Sequence, residues 1–247
     1  MRRQLALLSL AVLVAGCAGP TSGRQQLIVF AAASLTDAFE QVGDAFMQEH
    51  PDVDVTFNFG PSNGLATQII QGAPADAFAS ASQKPMDDVA GAELVQGQPR
   101  IFVRNLLEIA VEPGNPLGIK TLRDLARSDV TLVLAAPGVP AGDFSRQALD
   151  QAGVKVTPAS LEVDVRAVLT KVELGEADAG IVYVTDVISA DGEVEGVPIP
   201  EGQNVQAAYP IATLTGAPNP KAARAFTDLV LSPRGQQILG KYGFAEP

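Results

Sequence analysis

Four turns of this chain carry small, hydroxyl or acidic capping residues directly in front of an amphipathic helix. They are residues 31–35, 59–64, 138–142 and 162–166. The start of a helix exposes unpaired N–H donors and about half a positive charge, so it can hold an anion without a basic side chain. Small residues also let an anion approach the backbone closely. We therefore treat the four turns as candidate anion-binding segments.

One such turn would not define a site, because Ser or Asp in front of a helix is usually ordinary capping. Several turns meeting at one place would define one. Open α/β sheets bind their ligands at the carboxyl ends of the strands. At least three of the four turns leave a predicted strand at that end, so we expect them to converge on a common site.

Strands and amphipathic helices alternate along most of the chain. Apolar runs at residues 27–31, 130–134 and 180–184 indicate strands that are buried on both faces. The first is followed by a helical pattern with Ser34 at the expected N-cap, and its apolar face consists of Leu35, Ala38, Phe39, Val42 and Phe46. This alternation predicts an α/β fold with mostly parallel sheets flanked by helices.

Two extended segments, residues 101–111 and 207–214, are longer than ordinary strands. We predict that they cross between two lobes as paired hinges. Lobe 1 would then consist of residues 27–105 and 208–247, and lobe 2 of residues 106–207.

The N-terminal segment predicts export. A basic start and an apolar run too short to span a bilayer make residues 1–16 a signal peptide. Cys17 is the only cysteine, so no intrachain disulfide can form. Its context resembles the bacterial lipobox, which implies lipidation of Cys17, a flexible tether at residues 17–26 and an extracytoplasmic protein held at the cell membrane. The alternative for Cys17 is a free buried thiol.

The composition limits the classes of partner. The chain has 247 residues, 47% of them hydrophobic, which is enough to form a sizeable core. Its net charge of -11 disfavours nucleic acid and anionic membrane surfaces. An anionic ligand must therefore be held by local dipoles against an unfavourable overall field.

Seven short motifs resemble those of the molybdate-binding receptors of ABC importers, in the same order. They begin at residues 31, 59, 72, 139, 164, 180 and 241 and read AAASLT, FGPS, GAPAD, VPAG, DVR, GIVY and KYGF. The resemblance extends from about residue 27 to residue 244. It implies a two-lobed fold of the type II periplasmic-binding-protein class, a molybdate or tungstate ligand, a membrane permease as partner, and neither a cofactor nor enzymatic activity. We expect a monomer.

In that family, hydroxyl and backbone N–H groups from both lobes hold the dianion. Carried over motif by motif, the ligand-binding residues are Ser34, Ser62, Ala141, Val165 and Tyr183. The two serines would offer hydroxyl and backbone donors, Ala141 and Val165 only backbone N–H, and Tyr183 its phenol. Pro61 departs from the family pattern and removes one N–H donor beside Ser62.

A site made only of neutral donors suits a fully deprotonated oxyanion, because an ion that retains a proton also requires an acceptor. Sulfate carries the same charge as molybdate, so cavity size must separate the two. Burying a dianion requires many hydrogen bonds, and lobe closure would supply donors from both sides.

Other polar residues receive structural interpretations. We expect His50, the only histidine, to cap a helix C-terminus. Asp143 is expected to face solvent in the first turn of a helix. Asp76, Asp87 and Asp88 match no metal-loop pattern and are interpreted as solvated loop acids. Arg166 either pairs with Glu162 or Asp164 or lies near the cleft, and the sequence leaves these options open.

Two other function classes compete with the receptor. A hydrolase could use Ser34 or Ser62, and residues 60–64 read Gly-Pro-Ser-Asn-Gly, which matches the Gly-x-Ser-x-Gly pattern of a nucleophile elbow. Against a hydrolase, His50 is the only histidine and is poorly placed for a triad. A lipid-anchored adhesion or scaffold module would bind no small ligand. A receptor for another tetrahedral oxyanion, such as sulfate, is the nearest alternative.

Overall fold

The computed structural model describes residues 24–247. The predicted signal peptide, the Cys17 lipidation site and most of the predicted tether lie outside these residues. In its first half the chain forms β1 (Gln25–Ala32), α1 (Thr36–Glu49), β2 (Val53–Gly60), α2 (Ser62–Ile70), β3 (Ala77–Ala79), α3 (Gln83–Gly91) and β4 (Val95–Val111). The second half forms β5 (Leu132–Ala135), α4 (Pro140–Gln151), β6 (Ser160–Glu162), α5 (Val165–Glu173), β7 (Ala179–Tyr183), α6 (Val184–Ser189), β8 (Glu195–Pro198), β9 (Gln206–Leu214), α7 (Pro220–Leu231) and α8 (Pro233–Lys241).

The strands are ordered β2-β1-β3-β9-β4-β7-β5-β6, with β8 paired to β4. At one end of this order β1 pairs in parallel with β2 and β3. At the other end β5 pairs in parallel with β6 and β7. The strands β4 and β9 run antiparallel to their neighbours. These are two α/β units, each with a parallel part flanked by helices, as the alternation in the sequence predicts.

The long strands β4 and β9 connect the two units. Residues Val95 to Leu106 of β4 pair with β9, whereas Leu107 to Val111 pair with β7 and β8. The extended segments at 101–111 and 207–214 therefore lie in two adjacent strands. Of these, β4 pairs within both units, and β9 leads from the second unit back to β3 of the first. The exact lobe boundaries at 105/106 and 207/208 stay a prediction.

Helix boundaries follow the local chemistry of the sequence. Asn219 and Ser232 cap α7 and α8, and each is followed by a proline at the first helical position. Gly153 and Gly175 follow the ends of α4 and α5 with φ of +66°, a conformation that glycine adopts without steric strain.

The apolar face of α1 packs into the main core. Phe39 and Phe46 are fully buried, and both pack edge-on against Phe226 of α7. One expectation for this region was wrong: Ser34 is not the N-cap of α1. A short 3-10 turn at Ala33–Leu35 precedes that helix, and the Ser34 hydroxyl bonds to Tyr209 instead.

Candidate ligand-binding site

All five residues that the resemblance singled out line one cavity. Ser34 lies in the 3-10 turn after β1, Ser62 begins α2, Ala141 lies in the first turn of α4, Val165 begins α5, and Tyr183 ends β7. The remaining lining residues are small or apolar apart from one acid: Ala32, Ala33, Gly60, Pro61, Ala81, Val139, Pro140 and Asp164. Five segments converge at this cavity. They are the turns that follow β1, β2 and β5, the turn in front of α5, and the end of β7.

The cavity is small. The space open to the centre of a water molecule is about 20 Å³, which corresponds to roughly one or two water-sized spheres. A cavity of this size accommodates a single compact ion. It is far smaller than the sites of about 300–1,000 Å³ that hold drug-sized molecules.

The two serine hydroxyls of the first unit are buried and each already has one partner. Ser62 Oγ accepts the N–H of Ala81 at 3.0 Å, and Ser34 Oγ lies 2.9 Å from the phenol oxygen of Tyr209. Because the Ser62 oxygen accepts, its own hydrogen remains free to donate. Pro61 is the residue before α2 and contributes no N–H, so the donors at this turn begin with Ser62.

In the second unit the donors are backbone N–H groups at helix starts. Ala141 is the second residue of α4 and Val165 the first of α5, so neither N–H has a partner within its own helix. The Asp164 carboxylate accepts the N–H of Ala167 at 2.9 Å and thereby caps α5. Among the described residues, the one charged side chain of the cavity lining is thus engaged with the backbone.

The start of α4 depends on a close approach of the chain to itself. A Cβ atom on Gly142 would lie 2.3 Å from the carbonyl oxygens of both Ala135 and Ala136. Only glycine fits there, and it lets the first turn of α4 fold directly over the end of β5. Ala141 is held at the cavity by this contact.

Tyr183 contributes an unsatisfied phenol. Its hydroxyl is buried and has no hydrogen-bond partner among residues 24–247. Burial raises the pKa of Tyr183 well above its ordinary value, and the nearby Tyr209 and Asp186 add to the effect. The group therefore stays protonated and can act as a donor at the cavity wall.

Arg166 follows the cavity residue Val165 and links the two units. Its guanidinium contacts Asp37 of α1 through Nη2, and its Nε lies 3.2 Å from Asp186 Oδ1 in α6. The options left open for Arg166 are thus resolved: it does not pair with Glu162 or Asp164. Glu162 instead pairs with Lys171 at 3.0 Å.

Asp186 is completely buried next to Tyr183. Its Oδ2 accepts the N–H of Tyr183 at 3.0 Å. Burial raises the pKa of Asp186 to about 6, while Arg166 opposes that shift. Asp186 thus fixes the backbone of Tyr183, and Arg166 partly compensates its charge.

Comparison with known proteins places the chain among binding proteins. Residues 27–245 match the family described as bacterial extracellular solute-binding protein. The chain belongs to this family. A molybdate-binding protein from Mycobacterium bovis is 44% identical over 93% of this chain and 88% of its own length, and one from Escherichia coli is 34% identical over 96% and 94%.

Solved structures of solute-binding proteins share the fold. A periplasmic molybdate-binding protein from Azotobacter vinelandii superposes with a TM-score of 0.78 at 20% identity, covering 90% of this chain and 99% of that one. The sulfate-binding protein SubI from Mycobacterium tuberculosis gives 0.79 at 18% identity, covering 90% and 87%. The predicted two-lobed α/β fold and the resemblance to molybdate-binding receptors are confirmed.

The interpretations of the other polar residues were mostly correct. His50 forms the C-terminal cap of α1, with its ring against Phe46. Asp143 is half-exposed in the first turn of α4 and pairs with Arg146 at 2.6 Å. Asp87 and Asp88 bond to exposed side chains, although they lie on helix α3 instead of a loop.

The interpretation of Asp76 was wrong. It is fully buried, and its carboxylate accepts the backbone N–H groups of Ile28 at 2.7 Å and Asn219 at 2.5 Å. Asp76 therefore ties β1 to the start of α7. No group of three His, Cys, Asp or Glu side chains within residues 24–247 could hold a metal ion.

Sequence reasoning missed Tyr209, which bonds to Ser34, and Asn105, which bonds to Tyr209. Both are buried in the strands that connect the two units. A polar side chain inside an otherwise apolar extended segment was the available signal.

Across residues 24–247, no helix is both long and apolar enough to cross a membrane.

Proposed function

We propose that this solute-binding protein captures molybdate, and equally tungstate, in the cavity between its lobes and delivers it to the permease of an ABC importer. One observation carries the proposal: hydroxyl and N–H donors from both α/β units line a single cavity, and no lysine or arginine among residues 24–247 lines it. The site residues are Ser34, Ser62, Ala141, Val165 and Tyr183.

The chemistry of the cavity favours a dianion without a proton. Each proposed contact is a donor, and the one carboxylate in the lining caps a helix. A fully deprotonated tetrahedral oxyanion satisfies such a site, whereas a protonated one would need an acceptor for its hydrogen. The small volume limits the ligand to one compact ion.

The relatives support molybdate within this class. Proteins named for molybdate binding are 44% and 34% identical over more than nine-tenths of the chain. A sulfate-binding protein from Synechococcus elongatus is also related, at 25% identity over 94% of the chain. Molybdate and sulfate share charge and shape, so the distinction depends on how tightly the closed cavity fits the larger ion.

Calorimetric titration with four anions tests the proposal. We expect molybdate and tungstate to bind tightly and with similar affinity, and sulfate and phosphate to bind far more weakly. Strong heat with sulfate and none with molybdate would make the protein a sulfate receptor. Thermal unfolding with each anion provides an independent measure, since a ligand that binds the native state raises its stability.

Serine variants test the site itself. Ser34→Ala and Ser62→Ala should each weaken molybdate binding by roughly 1–3 kcal/mol, because a charged ligand is left short of one donor. Ser189→Ala is a matched control, since Ser189 bonds to Arg166 outside the cavity. Unchanged affinity in both cavity variants would contradict the proposed site.

Two other functions give different outcomes in the same experiments. A hydrolase would turn over an ester and lose that activity in Ser34→Ala; His50 packs against Phe46 and does not line the cavity. An adhesion or scaffold module would gain no stability from any tetrahedral oxyanion.

The proposed location is the outer face of a membrane, with Cys17 lipidated after removal of residues 1–16. The lipobox-like context of Cys17 supports this proposal, as does membership of an extracellular solute-binding family. We propose that the receptor acts as a monomer. Cys17→Ser should release the protein from the membrane fraction, and retention of this variant would contradict the lipid anchor.

A further inference from the structure

A buried chain of hydrogen bonds leads from the strands that connect the two units to the Ser34 hydroxyl. Ser34 Oγ lies 2.9 Å from the phenol oxygen of Tyr209, and Asn105 Nδ2 lies 3.4 Å from the same phenol oxygen. All three side chains are buried. Either hydroxyl could donate in the Ser34–Tyr209 contact, so its direction depends on Asn105.

Asn105 sets that direction. Its amide oxygen accepts the backbone N–H of Leu106 at 3.0 Å, which distinguishes the amide oxygen from the amide nitrogen. Nδ2 carries two hydrogens and no acceptor. It faces Thr185 Oγ1 at 2.9 Å and the Tyr209 oxygen, so one hydrogen is available for each.

The donor direction then passes along the chain. The Tyr209 oxygen accepts from Asn105, and among residues 24–247 Ser34 Oγ is the acceptor within hydrogen-bond distance of its single hydrogen, so that hydrogen is directed at Ser34. Ser34 accepts that bond, and its own hydrogen is left for the cavity. The reverse direction would turn a lone pair of Ser34 toward the anion, which would replace an attraction by a repulsion.

We propose that Asn105 and Tyr209 are positioning residues that hold the Ser34 hydroxyl as a donor to the bound oxyanion. This inference rests on the function proposed above. It assigns a role in binding to residues that do not line the cavity. Asn105 lies in β4, which pairs within both units, and Tyr209 lies in its neighbour β9.

The surroundings of Tyr209 favour one fixed orientation. Its ring packs edge-on against Phe102, Tyr183 and Phe244, with ring centroids 6.4, 5.9 and 5.6 Å away. Burial also raises the pKa of Tyr209, which keeps the phenol protonated. A rigid, protonated phenol is able to transmit the direction set by Asn105.

A double-mutant cycle with molybdate tests the relay. Tyr209→Phe keeps the packing of the ring, and we expect it to weaken binding about 2–12-fold, the loss associated with one neutral hydrogen bond. In the relay, Tyr209 acts only through Ser34. The double variant Ser34→Ala/Tyr209→Phe should therefore bind as Ser34→Ala alone does. If the two losses multiply, Tyr209 acts independently of Ser34 and the relay is refuted.

Asn105→Asp provides a second test, because a carboxylate only accepts and should reverse the chain. Tyr209 would then donate to residue 105 and Ser34 would donate to Tyr209. Adding Ser34→Ala should cost little further affinity in this background. A full additional loss would mean that the variant acts only through its charge, which would contradict the relay.

The controls separate the two proposals. Tyr242→Phe alters a half-buried tyrosine outside the relay and should leave affinity unchanged. Unfolding curves establish that each variant is folded before its affinity is compared. A wild-type protein that fails to bind molybdate refutes the proposed function, whereas tight wild-type binding with multiplicative variant effects refutes the relay alone.

Discussion

Replacing Tyr183 by phenylalanine is expected to stabilise the ligand-free protein and at the same time weaken anion binding. The substitution removes one oxygen atom and keeps the ring that packs at 5.9 Å from Tyr209. The removed hydroxyl is buried without a partner among residues 24–247. It is therefore unfavourable for the fold and useful only when a ligand accepts its hydrogen.

The two magnitudes follow from the same group. An unsatisfied buried hydroxyl costs about 1–3 kcal/mol, and partial hydration of an open cleft reduces that cost, so we expect Tyr183→Phe to stabilise the ligand-free form by about 1 kcal/mol. A hydrogen bond to a charged ligand contributes about 1.5–3 kcal/mol. The loss of this bond corresponds to an affinity roughly 10–150-fold lower.

Urea unfolding without anion measures the first effect, and calorimetric titration with molybdate measures the second. Tyr242→Phe removes a phenol from a half-buried tyrosine outside the cavity and serves as the control. If Tyr183→Phe destabilises the ligand-free protein and binds molybdate as well as wild type does, then the phenol is a structural group and does not contact the ligand.

Three further variants test the supports of the site. Gly142→Ala should destabilise the protein by about 1–3 kcal/mol and weaken molybdate binding, because its Cβ meets two carbonyl oxygens at 2.3 Å; an unchanged unfolding midpoint would contradict this. Asp186 has a pKa raised to about 6 by burial, so the folded state binds its proton more tightly than the unfolded state and loses stability as pH rises from about 4 to 6. Asp186→Asn should therefore gain on the order of 2–3 kcal/mol relative to wild type between pH 4 and 7, as measured by urea unfolding; a constant difference would exclude the shift. Arg166→Gln removes the cation beside buried Asp186 and should destabilise the protein more at pH 7 than at pH 5, where Asp186 is protonated; an equal loss at both values would refute the pairing.

Local sequence patterns were sufficient for the elements of the fold. Apolar runs of strand length, helical periodicity, and caps such as Asn219 and Ser232 correctly predicted most strands and helices. They failed where a distant partner competes for a side chain. Ser34 looks like a cap, yet its hydroxyl bonds to Tyr209, 175 positions further along the chain.

The sequence alone determined the types of donor. Serine, small residues and helix starts at four turns indicated a site for an anion held without basic side chains, and the motif order indicated which turns belong together. These features are local, because helix capping and the exposed N–H groups of a first turn depend only on neighbouring residues.

Only the tertiary structure decided how those donors are held and oriented. The deciding contacts are between residues far apart in the chain. Asp76 accepts from Ile28, Arg166 pairs with Asp37 and Asp186, and Asn105 bonds to Tyr209. Which buried polar groups meet is fixed when the two α/β units pack around their shared strands. A linear pattern of residue types does not contain that information, because each of these groups has many chemically equivalent partners in the sequence.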